Sequence, residues 1–199
     1  MQIDTDHLHY WMQAIRQSPD PMRTMDAFWS GQLKSKEWLI ESLTNCCSIK
    51  DNSVSIDIHG GWVGVLASML FQSYIVVKHI RSIDIDLSCE SIATMMNKKE
   101  EIEGRFKAIT ADMCNTRSDA DIIINTSCEH ITQEQYDTWL SGMPANSLFV
   151  LQSNNYDIPE HVRIAKDLEE FKIQCGLSVI WAGKLELPLY TRWMIIGKQ

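Results

Sequence analysis

The sequence predicts an α/β fold: a mostly parallel seven-stranded sheet that ends in an antiparallel hairpin, with helices on both faces and a helical N-terminal extension. Three observations lead there. Strand-like apolar runs alternate with helical ones from Val54 to Phe171. The first run, Val54–Ile58, passes directly into a glycine-rich turn, His59-Gly60-Gly61-Trp62-Val63-Gly64, and then into an apolar helix. Two final apolar runs, Leu177–Trp181 and Tyr190–Ile196, are joined only by Ala182–Leu189. That leaves no room for a crossover helix, so the two must pair antiparallel.

The elements follow in order. Thr5 and Asp6 are expected to cap a helix carrying Leu8, Trp11, Met12 and Ile15. Pro19-Asp20-Pro21 breaks it. A second helix is expected around Met25, Phe28 and Trp29, ended by Gly31, and a third around Trp38, Leu39, Ile40 and Leu43. The period then changes. Strands are predicted at Val54–Ile58, Lys78–Ile85, Arg105–Thr110, Asp121–Asn125 and Leu148–Gln152. Helices are predicted at Gly64–Phe71, Ser88–Asn97, Gln133–Leu140 and Pro159–Phe171. Residues 1–50 form the helical extension, a cap, and residues 51–199 the main domain.

Composition narrows the function. The 199 residues suffice for one sizeable α/β core, and 45% apolar with 22% charged content is ordinary for a globular chain. A net charge of −8 repels phosphate backbones, which disfavours nucleic acid as a partner. Lys98-Lys99, followed by Glu100, Glu101 and Glu103, reads as a solvated helix end. Six cysteines include no CxxC pair, and no Cys/His cluster has zinc-ligand spacing. They read as reduced core thiols, the vicinal Cys46 and Cys47 included. The N-terminus has no basic-then-apolar signal, and no run of 18 apolar residues occurs. A cytoplasmic protein without a membrane segment is expected.

The turn and its flanks resemble class I S-adenosyl-L-methionine (SAM)-dependent methyltransferases, whose Rossmann-like sheet ends in such a hairpin; the likeness covers residues 50–199. In that family an acid closes strand one before a glycine turn, and Asp57 and Gly61 match those positions. His59 departs from the family's glycine, with Gly60 and Gly64 available to shape the turn instead. By the same resemblance Asp57 meets the amino-acid part of the cofactor through the turn, and Gly60, Gly61 and Trp62 line it. Asp84, in Ser82-Ile83-Asp84-Ile85-Asp86, takes the ribose hydroxyls, since an ionised carboxylate offers paired acceptors to two vicinal donors. Ile85 packs on adenine. Asp112 receives the adenine amino group and Met113 lines the ring. Asn125, in Asn125-Thr126-Ser127, faces the methionine moiety and the acceptor. The combination of GGWxG, INTSCEH and QSN also resembles uncharacterised methyltransferase-like proteins of tailed phages and bacteria.

The acceptor side follows from fewer marks. Glu129-His130 resembles a Glu-His pair of many small-molecule methyltransferases, which makes His130 the candidate general base. The polar run Gln152-Ser153-Asn154-Asn155-Tyr156 ends strand five, at the sheet edge where open α/β folds bind ligands, and Asn154 and Asn155 are candidate acceptor contacts. Trp29, Lys36 and Trp38 belong to the N-terminal helices that often cover the site in this family, with Trp29 and Lys36 as candidate acceptor contacts. Asn125-Thr126-Ser127-Cys128 is not the (D/N)PP(Y/F) motif of amino-methylating DNA enzymes, and no Pro-Cys nucleophile is present. There is no metal constellation of the catechol type, and no metal is expected. The expected function is SAM-dependent methyl transfer to a small-molecule or protein acceptor. One alternative is a SAM-binding sensor or assembly protein without transferase activity. The other is an NAD-dependent oxidoreductase, for which GxGxxG would need glycine where His59 stands.

Overall fold

The computed structural model describes residues 4–46 and 53–199. Seven strands form one sheet: β1 (Val54–His59), β2 (Val77–Asp84), β3 (Phe106–Thr110), β4 (Ile122–Asn125), β5 (Leu148–Asn154), β6 (Ser178–Glu186) and β7 (Thr191–Lys198). Their order across the sheet is β3-β2-β1-β4-β5-β7-β6. The first five strands run parallel, and β7 lies antiparallel between β5 and β6. The order reverses between β1 and β4, the switch point beside which open α/β sheets bind ligands. The sequence reading gave this sheet and its closing hairpin.

Among the described residues, eight α-helices surround the sheet: α1 (Thr5–Gln17), α2 (Pro21–Asp26), α3 (Ser30–Cys46), α4 (Val65–Phe71), α5 (Leu87–Met96), α6 (Lys98–Ile102), α7 (Gln133–Ser141) and α8 (Leu168–Cys175). Alternation decides which face each residue meets. Ile56 and Ile58 of β1, Ile122 and Ile124 of β4 and Val150 of β5 pack with Leu39 and Leu43 of α3 and Leu66 and Leu70 of α4. On the other face Ile123, Phe149 and Leu151 meet Tyr136 and Trp139 of α7 and Phe171 of α8. β4 is apolar on both faces because both are covered. Each fully buried aliphatic side chain contributes roughly 1.5–3 kcal/mol. A third cluster joins Ala14 of α1 and Ala27 to Val65, Met69, Ile92 and Met96, so the N-terminal helices share core with α4 and α5.

Several local expectations need correction. Asp4, rather than Thr5 or Asp6, caps α1 by accepting from the Asp6 amide. Phe28 and Trp29 lie beyond α2, and Gly31 falls in the first turn of α3 instead of ending a helix. A Cβ there would meet only Leu187 and Tyr190 at an ordinary 3.8 Å, so glycine is not needed at this position. The helix expected over Pro159–Phe171 is an irregular segment followed by α8. Its backbone is spent on the sheet edge: the Arg163 amide donates to Glu129 O and the Ala165 amide to Asn154 O, and Asp167 then caps α8. Glu100 is not a solvated acid. It is buried on α6, 3.0 Å from His7 of α1 and 4.0 Å from Arg105. Cys47 lies outside the described residues; Cys89, Cys128 and Cys175 are buried thiols. Burial pushes Cys89 up to about 11 and Cys128 up to about 12, which keeps both protonated and unreactive. No helix among the described residues is long and apolar enough to cross a membrane.

Candidate functional site

The glycine turn is built by its neighbours. Gly60 and Gly64 have φ of +69° and +80°, the left-handed region that glycine enters without strain. The Gly60 and Gly61 amides both donate to Ile83 O, which ties the turn to the end of β2. A Cβ on Gly61 would stand 2.0 Å from Ser82 Oγ, so only glycine lets the turn descend this far onto the sheet. Asn97 Nδ2 donates to Gly64 O and fixes the start of α4. Trp62 carries a positive φ of 48° and its amide donates to Asp84 Oδ2 at 2.8 Å. Asp84 Oδ1 accepts from the Asp86 amide at 3.0 Å. Both oxygens are anchored by backbone, and each keeps a lone-pair direction free.

His59, the departure from the family pattern, faces the core. Its backbone is not left-handed, and its ring is fully buried edge-on to Trp139. Burial pulls it down to about 4, with Asp57 opposing and Arg81 adding to that shift, so the imidazole is neutral. Asp57 shares this face. Arg81 binds its carboxylate in two places, with Nε at 2.8 Å from Oδ1, and the Ser118 hydroxyl donates to Oδ2 at 2.6 Å. The Asp57 carboxylate is thus engaged below the turn rather than open above it.

Beyond β2, Ile85 is 73% exposed. An aliphatic residue so placed is a surface that an apolar ring could cover. Across the edge, Asp112 caps a 3-10 turn, Met113–Asn115, by accepting from the Cys114 amide. Met113 Sδ lies 3.5 Å from Asn125 Nδ2, and Asn125 Oδ1 accepts from the Ser127 amide. Gly60, Gly61, Trp62, Asp84, Ile85, Asp112, Met113 and Asn125 therefore occupy the ends of four adjacent parallel strands and the turns that follow. Asp86 belongs to the frame: it caps α5 and pairs with Arg23 at 2.6 Å. The Ser88 hydroxyl and amide and Arg23 hold its carboxyl down at about 2.

The acceptor-side candidates divide. Lys36 projects from α3, which lies over β6 and β7. Its Nζ donates to Gln32 on its own helix, and burial, reinforced by the Arg192 charge, pulls it down to about 7. Asn154 is buried, and its Nδ2 donates to Glu129 Oε1 at 2.6 Å. Asn155 instead stitches the chain to β7, accepting from the Thr191 amide. Trp29 is 63% exposed at the start of α3, while Trp38 packs edge-on against Trp181. His130 is exposed, with Nδ1 3.1 Å from Glu160 O.

Two buried charges here were not singled out from the sequence as site residues. Arg192 of β7 donates to Thr126 O, to Gln152 Oε1 and, at 3.3 Å, to Glu129 Oε1. Arg163 donates to Cys128 O and lies over the Tyr136 ring. An arginine at the head of the apolar strand sequence Trp193–Ile196 was the available signal for the first, since a buried charge requires partners. Glu129, Gln152, Asn154 and Arg192 together make a buried polar floor at the β5 and β7 strand ends, and Lys36 lies near enough to feel the Arg192 charge.

With this geometry in view, the comparisons with known proteins are informative on fold. No protein-family model matches the chain, and no curated protein sequence matches it either. Solved structures do. The magnesium protoporphyrin IX methyltransferase of Synechocystis PCC 6803, with bound S-adenosylhomocysteine, superposes with a TM-score of 0.68 at 13% identity, over 98% of this chain and 94% of that one. The mitomycin 7-O-methyltransferase gives a TM-score of 0.66 at 12% identity, over 95% of this chain and 60% of that one. A candidate RNA methyltransferase from Pyrococcus horikoshii gives 0.60 at 16% identity, over 83% and 84%. The fold is the Rossmann-like fold of class I SAM-dependent methyltransferases. The chain resembles such enzymes in structure while sharing few residues with them.

Proposed function

We propose that this chain is a SAM-dependent methyltransferase acting on a small-molecule or protein acceptor. The observation that carries the reading is the clamped glycine turn: Gly61 pressed onto Ser82, Trp62 tied to Asp84, and an uncovered Ile85 beside them. The same fold in neighbours solved with S-adenosylhomocysteine or SAM supports it. The residues fit the cofactor. Asp84 would accept ribose hydroxyls with its remaining lone pairs, and Ile85 and Met113 would flank adenine. Asp112 would meet the adenine edge, and Asn125 with Gly60, Gly61 and Trp62 would border the methionine part. Asp57 would act through the turn it braces.

Bound there, SAM supplies an electrophilic methyl group whose leaving sulfur becomes neutral. The protein's task is then to hold the acceptor in line and remove its proton where it has one. His130, Asn154 and Lys36 border the β4–β5 edge where an acceptor would lie, with Trp29 and Asn155 at its margin. The Arg192 charge beside Lys36, and the proton that an anion would draw back onto Lys36, would favour an acceptor carrying an anionic group. Among the neighbours, one is named for a porphyrin, one for mitomycin and one for RNA, so fold likeness does not select the acceptor. The net charge of −8 argues against RNA. The sensor reading drew on His59, and a ring turned into the core gives it no support.

Titration calorimetry with SAM, S-adenosylhomocysteine and NAD tests the proposal. SAM and its product should bind and NAD should not. Asp84→Ala should weaken SAM by at least tenfold, about 1.4 kcal/mol. Binding of NAD alone, or unchanged SAM affinity in Asp84→Ala, would overturn it.

A further inference from the structure

We propose that Glu129, His130 and His161 form a site for a divalent transition cation of the zinc class. One donor atom from each lies within 4.8 Å of those of the other two. Glu129 and His130 come from the turn after β4, and His161 from the irregular segment before α8. The fold brings these segments together through the Arg163 amide on Glu129 O and the His130 ring on Glu160 O.

Two further observations point to a ligand. Glu129 is 2% exposed, and its Oε1 is engaged by Asn154 and Arg192, but its Oε2 is buried with no hydrogen-bond partner. A buried carboxylate oxygen left bare is costly unless something cationic or protic completes it. The two rings are also set up alike. His130 Nδ1 lies 3.1 Å from Glu160 O, and His161 Nδ1 lies 2.7 Å from Tyr156 O. A carbonyl can only accept, so each Nδ1 carries the proton and each Nε2 keeps its lone pair. Imidazole N–H groups held by backbone carbonyls are the usual outer support of metal-bound histidines. The rings meet edge-on, 4.7 Å between centroids at 79°.

The donor set selects the ion. Two imidazole nitrogens and one carboxylate oxygen suit zinc and its first-row neighbours, whereas magnesium and calcium want oxygen alone. Bonds of about 2.0–2.2 Å put tetrahedral ligands roughly 3.4 Å apart, so donors within 4.8 Å must close by up to about 1.4 Å. His130 is exposed and His161 half-buried, which leaves both rings room to move. Three protein ligands leave one position for an exogenous group. Arg192 already offsets the Glu129 charge, so the ion would retain its double charge and favour an anionic oxygen or a thiolate. If the methyltransferase reading holds, an acceptor hydroxyl or thiol at that position would release its proton to solvent and stay bound as the anion. The ion would then replace free His130 as the activating group. The site itself does not depend on that reading.

The test needs no SAM. Metal-stripped protein is titrated with zinc chloride by calorimetry, and its metal content is measured after exchange into metal-free buffer. One zinc per chain is expected. His161→Ala should weaken binding by more than about 100-fold, beyond the loss usual for an outer partner. Glu129→Gln, which keeps an acceptor for Asn154 and Arg192, should weaken it similarly. His9→Ala, an exposed histidine on α1, should change nothing. Zinc should raise the melting temperature of the wild type but not of His161→Ala, with the two alike in chelator. No stoichiometric uptake, or uptake by His161→Ala and Glu129→Gln equal to that of the wild type, would overturn the proposal.

Discussion

At Gly61 the structure leaves no room for a methyl group, because the nearest obstacle is the buried Ser82 hydroxyl at 2.0 Å. Gly61→Ala should therefore lift the turn and lower SAM affinity more than tenfold, and Ser82→Gly in the same chain should restore part of it. Calorimetry of the single and double variants reads this directly. His59 gives a pH signature. Its folded value near 4 lies below the ordinary 6.5, so the unfolded chain takes up the proton first. The stability His59 leaves intact above 6.5 is lost as pH falls toward 4, by about 1.4 kcal/mol per pH unit. His59→Phe, also able to pack edge-on against Trp139, should flatten that slope in urea melts between those limits. An unchanged slope would mean the ring is not neutral in the fold.

At the scale of the element, one buried pair adds to the apolar packing that holds α1. His7 Nε2 lies 3.0 Å from Glu100 of α6, and His7 Nδ1 lies 3.1 Å from Asp4. The Glu100 hydrogen bond raises His7, against the opposing effect of burial. Glu100 is lowered by His7, although burial alone would raise it. The His7 contribution is complete below the ordinary histidine value and fades as pH rises through its raised one. The Glu100 contribution is complete above the ordinary glutamate value and fades as pH falls through its lowered one. Docking of α1 is thus firmest in the mildly acidic range between. His7→Ala should cost about 2 kcal/mol, less than a fully orphaned buried charge, because Arg105 stays 4.0 Å from Glu100. Hydrogen exchange should locate the loss in α1. The sequence showed α1 itself, through Leu8, Trp11, Met12 and Ile15. It did not show the pair, since nothing local distinguishes Glu100 from Glu101 or Glu103. The segment before α8 misled for a related reason. Val162, Ala165 and Leu168 have helical spacing, but the backbone partners that override it, Glu129 and Asn154, stand far off in the chain.

For the molecule as a whole, alternation and connection length made the sheet legible. Val54–Ile58, the glycine turn and the short link at Ala182–Leu189 each constrain topology by geometry alone. The strand-end positions of Gly60, Gly61, Trp62, Asp84, Asp112 and Asn125 were legible because these residues follow strand ends in order. The polar floor was not, since Glu129, Asn154 and Arg192 come from three separate elements. Continuity of packing also argues about residues 1–50. Leu39 and Leu43 are fully buried in the main core, and Ala14 and Ala27 in the one under α4 and α5. Removing residues 1–50 should uncover Val65, Met69 and Ile92 and lower the melting temperature by 10 °C or more, given about 2–4 °C per kcal/mol at this size. Differential scanning fluorimetry with light scattering reads both effects.

The position of β7 fixes an order of events during synthesis. It is made after the other six described strands, yet it lies between β5 and β6, and among the described residues β6 pairs with no other strand. While residues 191–198 are still inside the ribosome, β5 shows an open edge and β6 has nothing to join. Arg192 arrives with that strand, so Glu129 and Gln152 wait for their guanidinium partner until then. A nascent chain would shape the glycine turn early, but the buried Glu129 and Gln152 would gain their guanidinium partner only when β7 inserts.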